Sequence, residues 1–243
     1  MNRLRTRLGR AAPLVGVLII VVSFALLCVG LYAVDRYVHR RAEQQAAETL
    51  QPQLGTPALP QVDIKGFPIL TQLVAGSIGT MHVVADQVGV ANNASVTLAH
   101  ADLVMTDVVT KDWLKTMTIS HAEGTSLLDY TKLSSLAGAP LSYGSDGRVE
   151  LVSKTTVFGR NVEAVITGTP RLNAKEQTIT LNDARISVAG VNLPDFTAQA
   201  LLAALLKPIP LKGIPLGLTA SRISADEDGV HIDLFGDNLT IAS

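Results

Sequence analysis

The sequence predicts an α+β protein in which one membrane-spanning helix precedes a mostly antiparallel, curved β domain carrying two short helices. Three observations lead there. Residues 13–34 contain no charged side chain. The segments after Pro60 alternate apolar and polar residues with a period of two. Asp-Gly pairs sit between several of those segments, where they supply the positive φ angles of tight hairpin turns.

The 22 residues from Pro13 to Val34 would rise ~33 Å as a helix, enough to cross a hydrocarbon core of ~30 Å. Arg3, Arg5, Arg7 and Arg10 precede them with no acidic residue between, so the positive-inside rule places residues 1–12 in the cytoplasm and the remainder across the plasma membrane. The run is long for a signal peptide. Leu31-Tyr32-Ala33 offers only one small residue where a cleavage site needs two, which favours an uncleaved anchor over a removed signal. Cys28 is the only cysteine and follows Leu27, not the small residue of a lipidation motif. The domain beyond therefore has neither a disulfide nor a thiolate metal site.

Residues 35–50 are rich in Ala, Arg, Gln and Glu with little apolar face, and are expected to continue the helix as a stalk. Residues 51–60 hold three prolines and a glycine, expected to be a linker that keeps the domain, residues 61–243, off the bilayer.

Charge narrows the function. Seven arginines and one aspartate fall in residues 1–41, leaving 13 basic and 20 acidic side chains beyond them, a net of −7. Nucleic-acid binding rests on clustered Lys and Arg, so such an ectodomain is a poor partner for it.

Within the domain, Val230, Ile232 and Leu234 alternate with His231, Asp233 and Phe235 as a half-buried strand. Ile179 and Leu181 share one parity and Ala184, Ile186 and Val188 the other, which places a bulge near Asn182-Asp183. Turns are expected at Asp146-Gly147, near Gly159 to Asn161, at Asn173-Ala174-Lys175 and at Asp228-Gly229. The successive hairpins imply an antiparallel meander. Phe67 to Gly76 reads as a short helix with Pro68 in its first turn and Gly76 as its C-cap. A second helix runs from Pro194 to Leu206 and ends before Pro208. Its Leu201, Leu202, Leu205 and Leu206 form one broad stripe, either core that closes the sheet or one wall of an apolar cleft.

Motifs for chemistry are sparse. Ala75-Gly76-Ser77-Ile78-Gly79 lacks the first glycine of a nucleophile elbow and lies on a helix-to-strand junction, the reverse of the required order. His39, His82, His100, His121 and His231 are scattered singly, most of them expected to be solvated strand residues, and no metal site is expected. Asp226-Glu227-Asp228-Gly229 opens like a calcium loop but lacks the closing bidentate Glu, so a turn is expected. No catalytic residue, cofactor or metal is expected.

The chain resembles a family of actinobacterial cell-envelope proteins that includes the phospholipid-binding mannan elongation factor of mycobacteria. The resemblance rests on Val62-Asp63-Ile64-Lys65-Gly66-Phe67-Pro68-Ile69-Leu70-Thr71-Gln72-Leu73 with Gly76, on Ser142-Tyr143 and Asp146-Gly147-Arg148-Val149, on Pro208-Ile209-Pro210 with Gly217-Leu218, and on Asp228-Gly229-Val230. It implies a tubular lipid-binding shape, a strongly curved antiparallel sheet wrapping one or two helices around a lipid cleft. It also implies a non-enzymatic protein with phospholipid as its partner, assisting lipid or lipoglycan (mannan) assembly or transport, with envelope-synthesis proteins as further candidate partners. Some members of that family carry cleavable signals, whereas this chain reads as anchored. A lipid outside a bilayer exposes methylenes at ~0.8 kcal/mol each, so a carrier needs a dry lining. Phe67, Leu70, Leu73, Ile179, Leu181, Leu201, Leu202, Leu205, Leu206, Ile232 and Leu234 are the candidate lining, and Lys65, Lys207 and Lys212 the candidate headgroup contacts. The sequence leaves two rivals: an interaction module with a filled core that docks an envelope-synthesis membrane protein, and an envelope-lipid hydrolase acting through Ser77 or a carboxylate pair.

Overall fold

The computed structural model describes residues 11–90, 97–157, 160–188 and 195–242. Arg3, Arg5, Arg7, Arg10, Gly159 and Pro194 lie outside them. In chain order the elements are α1 (Ala11–Leu54), β1 (Gln61–Lys65), α2 (Ile69–Ala75), β2 (Ser77–Gly89), β3 (Thr97–Lys111), β4 (Thr116–Leu128), α3 (Tyr130–Ala137), β5 (Leu141–Ser145), β6 (Arg148–Val157), β7 (Arg160–Asn173), β8 (Thr178–Val188), α4 (Asp195–Leu205), β9 (Ile209–Pro210), β10 (Thr219–Ala225) and β11 (Val230–Ala242).

The strands form two antiparallel sheets, not the single meander expected. The larger runs β1-β2-β3-β4-β11-β10 and the smaller β5-β6-β7-β8-β9. The first breaks from a meander because β11 returns to pair with β4 along its whole length, Val230 opposite Leu128 and Ala242 opposite Thr116. Side chains from both sheets enter one core, in which Met81, Met105 and Ile119 of the larger sheet are joined by Leu151 and Ile166 of the smaller.

In the larger sheet the paired strands β3 and β4 approach each other closely at Gly124. A Cβ built on Gly124 would stand 2.0 Å from the Asp102 carbonyl oxygen and 2.8 Å from Leu103 Cα. Only glycine allows backbones this close. In the smaller sheet the expected bulge is present: the register shifts between Thr167 and Thr169 of β7, opposite Arg185 and Asn182 of β8. Asp183, inside it, has φ 51°. The Asp146-Gly147 turn joins β5 to β6 with φ of 50° and 71°, as its composition requires.

The 35–50 segment corrects the stalk expectation. α1 continues without a break through residues 35–54, and Pro52 sits within its last turn. Ala42, Ala46, Leu50 and Leu54, spaced by four, are fully buried in the domain core. Glu43 accepts a hydrogen bond from the Ile64 amide at 3.3 Å, and the Gln53 side-chain amide donates to the Ala242 carbonyl at 2.9 Å. The segment is thus the helix that the larger sheet wraps, and the proline-bearing stretch after it leads directly into β1. A stripe made largely of alanine is weakly apolar residue by residue, yet its small side chains let a sheet approach closely.

A third short helix, α3, was not anticipated. Its Asp129 N-cap accepts from the Lys132 amide at 2.7 Å, and Gly138 ends it in the left-handed region at φ 70°. Aspartate and glycine at those two positions are the cap signals that could have found it. The turn at Asp226–Gly229 is an Asx turn, in which the amides of Asp228 and Gly229 donate to the Asp226 carboxylate.

Because the 35–54 segment is core, Leu50→Ala is expected to cost about 2–5 kcal/mol in denaturant unfolding, as for other fully buried leucines. A chain beginning at residue 55 should fail to fold, where one beginning at residue 33 should give a cooperative transition. Gly124→Ala should destabilise by about 1–3 kcal/mol, since a methyl there meets backbone.

Candidate functional site: an apolar cavity beside the smaller sheet

An apolar cavity of about 360 Å³ lies between the smaller sheet and the two helices that flank it. Leu133, Leu136 and Ala137 of α3 form one side, Leu141, Val149 and Leu151 of β5 and β6 the floor, and Pro170, Ile179, Thr180 and Leu181 of β7 and β8 continue it. Leu205 of α4, then Leu206, Lys207 and Pro208 and the β9 residues Ile209 and Pro210, form the other side, with Val230 contributed by the larger sheet.

Local structure explains this composition. Ile179 pairs with Ile209 across β8 and β9, which draws the chain after α4 back onto the sheet. The Leu211 amide donates to the Gln177 carbonyl at 2.8 Å, and the Gln177 side chain bridges the Ala220 amide and carbonyl, tying the same edge to β10. On the opposite side Ser134 accepts from the Leu141 amide at 2.8 Å and holds α3 against β5. The Tyr130 hydroxyl donates to the Asp226 carbonyl at 2.6 Å, and burial together with the Asp226 charge pushes its pKa up to about 12.

Five of the sequence-derived candidates meet at this cavity: Ile179, Leu181, Leu205, Leu206 and Lys207. Leu201 and Leu202 lie half-buried on α4, Leu202 against the core. Ile232 and Leu234 are buried in the larger sheet as core. Phe67, Leu70 and Leu73 stand elsewhere, around α2: Leu73 packs on the core, while Phe67 is exposed with its ring 6.2 Å from that of Tyr32. Lys65 ends β1 beside Asp63, with which it pairs, and Lys212 is exposed just beyond β9. The rest of the lining, the α3 leucines and alanine and the β5 and β6 residues Leu141, Val149 and Leu151 above all, was not among the sequence-derived candidates.

The cavity wall carries one ammonium, Lys207, and one hydroxyl, Thr180, with no carboxylate, imidazole or thiol among the described residues. Ser77 opens β2 at the surface without a paired histidine or carboxylate among the described residues. The histidines are not solitary. His82 lies 2.5 Å from Asp102, His100 2.7 Å from Asp86, His121 2.7 Å from Asp237 and His231 2.7 Å from Asp226, while His39 on α1 sits 3.0 Å from Glu43 one turn on. His100 with Asp86 and His121 with Asp237 are direct cross-strand partners, a proximity created by register and invisible along the chain. His39, Glu43 and Asp63 bring one ligand atom each within 4.8 Å of one another. Glu43 is already engaged by the Ile64 amide and Asp63 by Lys65, so this cluster reads as a pin between α1 and β1.

A cavity lined by aliphatic side chains apart from one ammonium and one hydroxyl has the composition expected of a site for apolar ligands. A profile of the LmeA-like phospholipid-binding family matches residues 33–235, and the chain belongs to that family. No curated protein and no solved structure matches it. The match begins at the end of the apolar run and takes in residues 35–54, in keeping with their place in the core.

The hydrogen bond from His121 to Asp237 raises the imidazole pKa above its usual 6.5, outweighing a small opposing effect of burial. The sign is that of a favoured charged form: the pair is intact below pH 6.5 and weakens as pH rises through the raised value. An NMR titration of His121 should therefore give a midpoint above 6.5, and Asp237→Asn should lower it.

Proposed function

We propose that this protein is a non-enzymatic phospholipid-binding protein of the cell envelope, held at the plasma membrane by residues 13–34 with its N-terminus cytoplasmic and its domain outside. In this reading the cavity takes an acyl tail of a phospholipid while the headgroup stays at the rim near Lys207. The observation that carries it is the lining, which is aliphatic apart from that ammonium and one hydroxyl. Family membership supports the same ligand.

The size of the cavity limits what enters. About 360 Å³ lies near the lower end of the ~300–1,000 Å³ typical of small-molecule sites, so one tail fits better than an entire diacyl lipid. Each methylene leaving water contributes ~0.8 kcal/mol, enough for a single tail to bind without catalytic machinery. The absence of an acid-base pair from the described lining favours holding over hydrolysis. An open apolar cavity also weighs against a purely structural docking module, whose interior has no use for one. The biological setting follows from the resemblance: assembly or transport of envelope lipids or lipoglycans at the outer face of the membrane.

Native mass spectrometry of the full chain, freed of detergent in the gas phase, should retain one phospholipid per protein. Leu181→Trp, which fills the cavity, should weaken that retention about tenfold if it displaces two methylenes at ~0.8 kcal/mol each. Equal retention by both proteins would place the lipid on the membrane helix and remove the cavity from the account. Lys207→Glu should shift the bound population away from anionic headgroups without abolishing binding.

A further inference from the structure

We infer that the α2 corner is a second membrane contact: Phe67 and Val74 sit in the headgroup-acyl boundary of the same bilayer that α1 enters, so the domain rests on the membrane. This rests on reading the apolar half of α1 as a membrane span.

The height of the corner is given by α1 itself. Residues 18–34 are exposed along the whole helix, and Asp35 is the first charged residue after them. Asp35 is only 4% exposed, because its carboxylate accepts the Leu70 amide at 3.0 Å and so fixes the start of α2 at the point where the apolar stretch ends. The Phe67 ring then packs beside Tyr32, two residues inside the uncharged run. At 1.5 Å per residue that is ~3 Å below its last residue, the level where aromatic side chains gather at a bilayer interface.

The side chains at that level have the matching chemistry. Phe67, two residues before α2, is 68% exposed and Val74 88%, and Leu70 and Val74 fall at i and i+4 on one face of α2. Ile69 and Leu73 take the inward face. Two large apolar groups left bare beside a membrane-entering helix call for a covering surface, and the bilayer is already there. Arg36 and Arg40, both exposed, stand roughly 6 and 12 Å above Tyr32 along α1, within the layer where headgroup phosphates lie. Their charge favours an anionic membrane surface.

The corner is also built rigidly enough to hold a depth. Thr71 donates to the Pro68 carbonyl at 2.8 Å. The Gln72 side chain donates to the Lys65 carbonyl at 3.2 Å and accepts from the Gly79 amide at 3.2 Å, bracing both ends of the segment. Gly76 closes α2 at φ 68°, and its carbonyl accepts the Thr110 amide at 2.8 Å.

The test uses the full chain in a Cys28→Ser background, reconstituted in phosphatidylcholine vesicles containing phosphatidylglycerol. An environment-sensitive fluorophore is placed at Val74→Cys, at Leu26→Cys within the span, or at Ala58→Cys beyond the far end of α1. The expected result is blue-shifted emission at 74, quenched more by lipids spin-labelled near the headgroup than deep in the tail, at a depth of ~5–10 Å. Position 58 should stay water-like. Since Val74 is almost fully exposed, the substitution leaves the packing intact, and Phe67→Cys gives an independent reading of the same corner. Water-like emission at 67 and 74 with deep quenching at 26 would overturn the contact while leaving the anchor standing. Absence of quenching at 26 and at 74 would overturn the anchor and the contact with it.

Discussion

One helix meets two environments, and the rest of the molecule is arranged around the place where it passes from one to the other. From Leu18 to Val34 the side chains of α1 are exposed on every side. From Asp35 onward one face is enclosed by protein. A carboxylate at that junction would be costly to bury unpaired, and the Leu70 amide meets the cost by hydrogen bonding it. That bond orients α2, and α2 leads into β2, which pairs with β1 and β3 in the larger sheet that packs over the alanine stripe. Removing the helix would leave the larger sheet without the surface it wraps.

The cavity depends on the same arrangement at one remove. With α1 occupying the concave side of the larger sheet, the smaller sheet has no long helix of its own to cover it. It is flanked instead by two short helices, α3 and α4, whose leucines reach over β6 and β8 without filling all the space between. An incompletely covered sheet is normally a defect, because unfilled apolar volume forfeits packing. On the proposed reading it provides room for a ligand whose binding would restore the missing contacts, in keeping with a chain of the phospholipid-binding family.

Much of this was legible along the chain. The period of two, the Asp-Gly turns and the shifted parity around Asn182 located strands, hairpins and bulge because those signals are local. The residues that reach the cavity from β8 and the end of α4 were legible for the same reason. What failed was non-local. Ala42, Ala46, Leu50 and Leu54 looked too weakly apolar for a core helix, since the value of an alanine lies in how close its neighbour comes. The histidines looked solitary because cross-strand partners such as His121 and Asp237 are 116 positions apart. Phe67 looked like cleft lining on composition alone, whereas its neighbour in space is Tyr32.

The continuity of α1 also acts as a ruler and a compass for the domain. Span and core share one unbroken set of helical hydrogen bonds, so neither can turn without the other. A single residue inserted in that shared helix between its two halves would rotate the domain by ~100° about the helix axis, swinging the α2 corner to a new azimuth. Four inserted residues would nearly restore the azimuth while raising the domain by ~6 Å. With α1 read as an anchor, as proposed above, the direction in which the cavity faces is therefore written in the phase of a helix that has no part in its described wall.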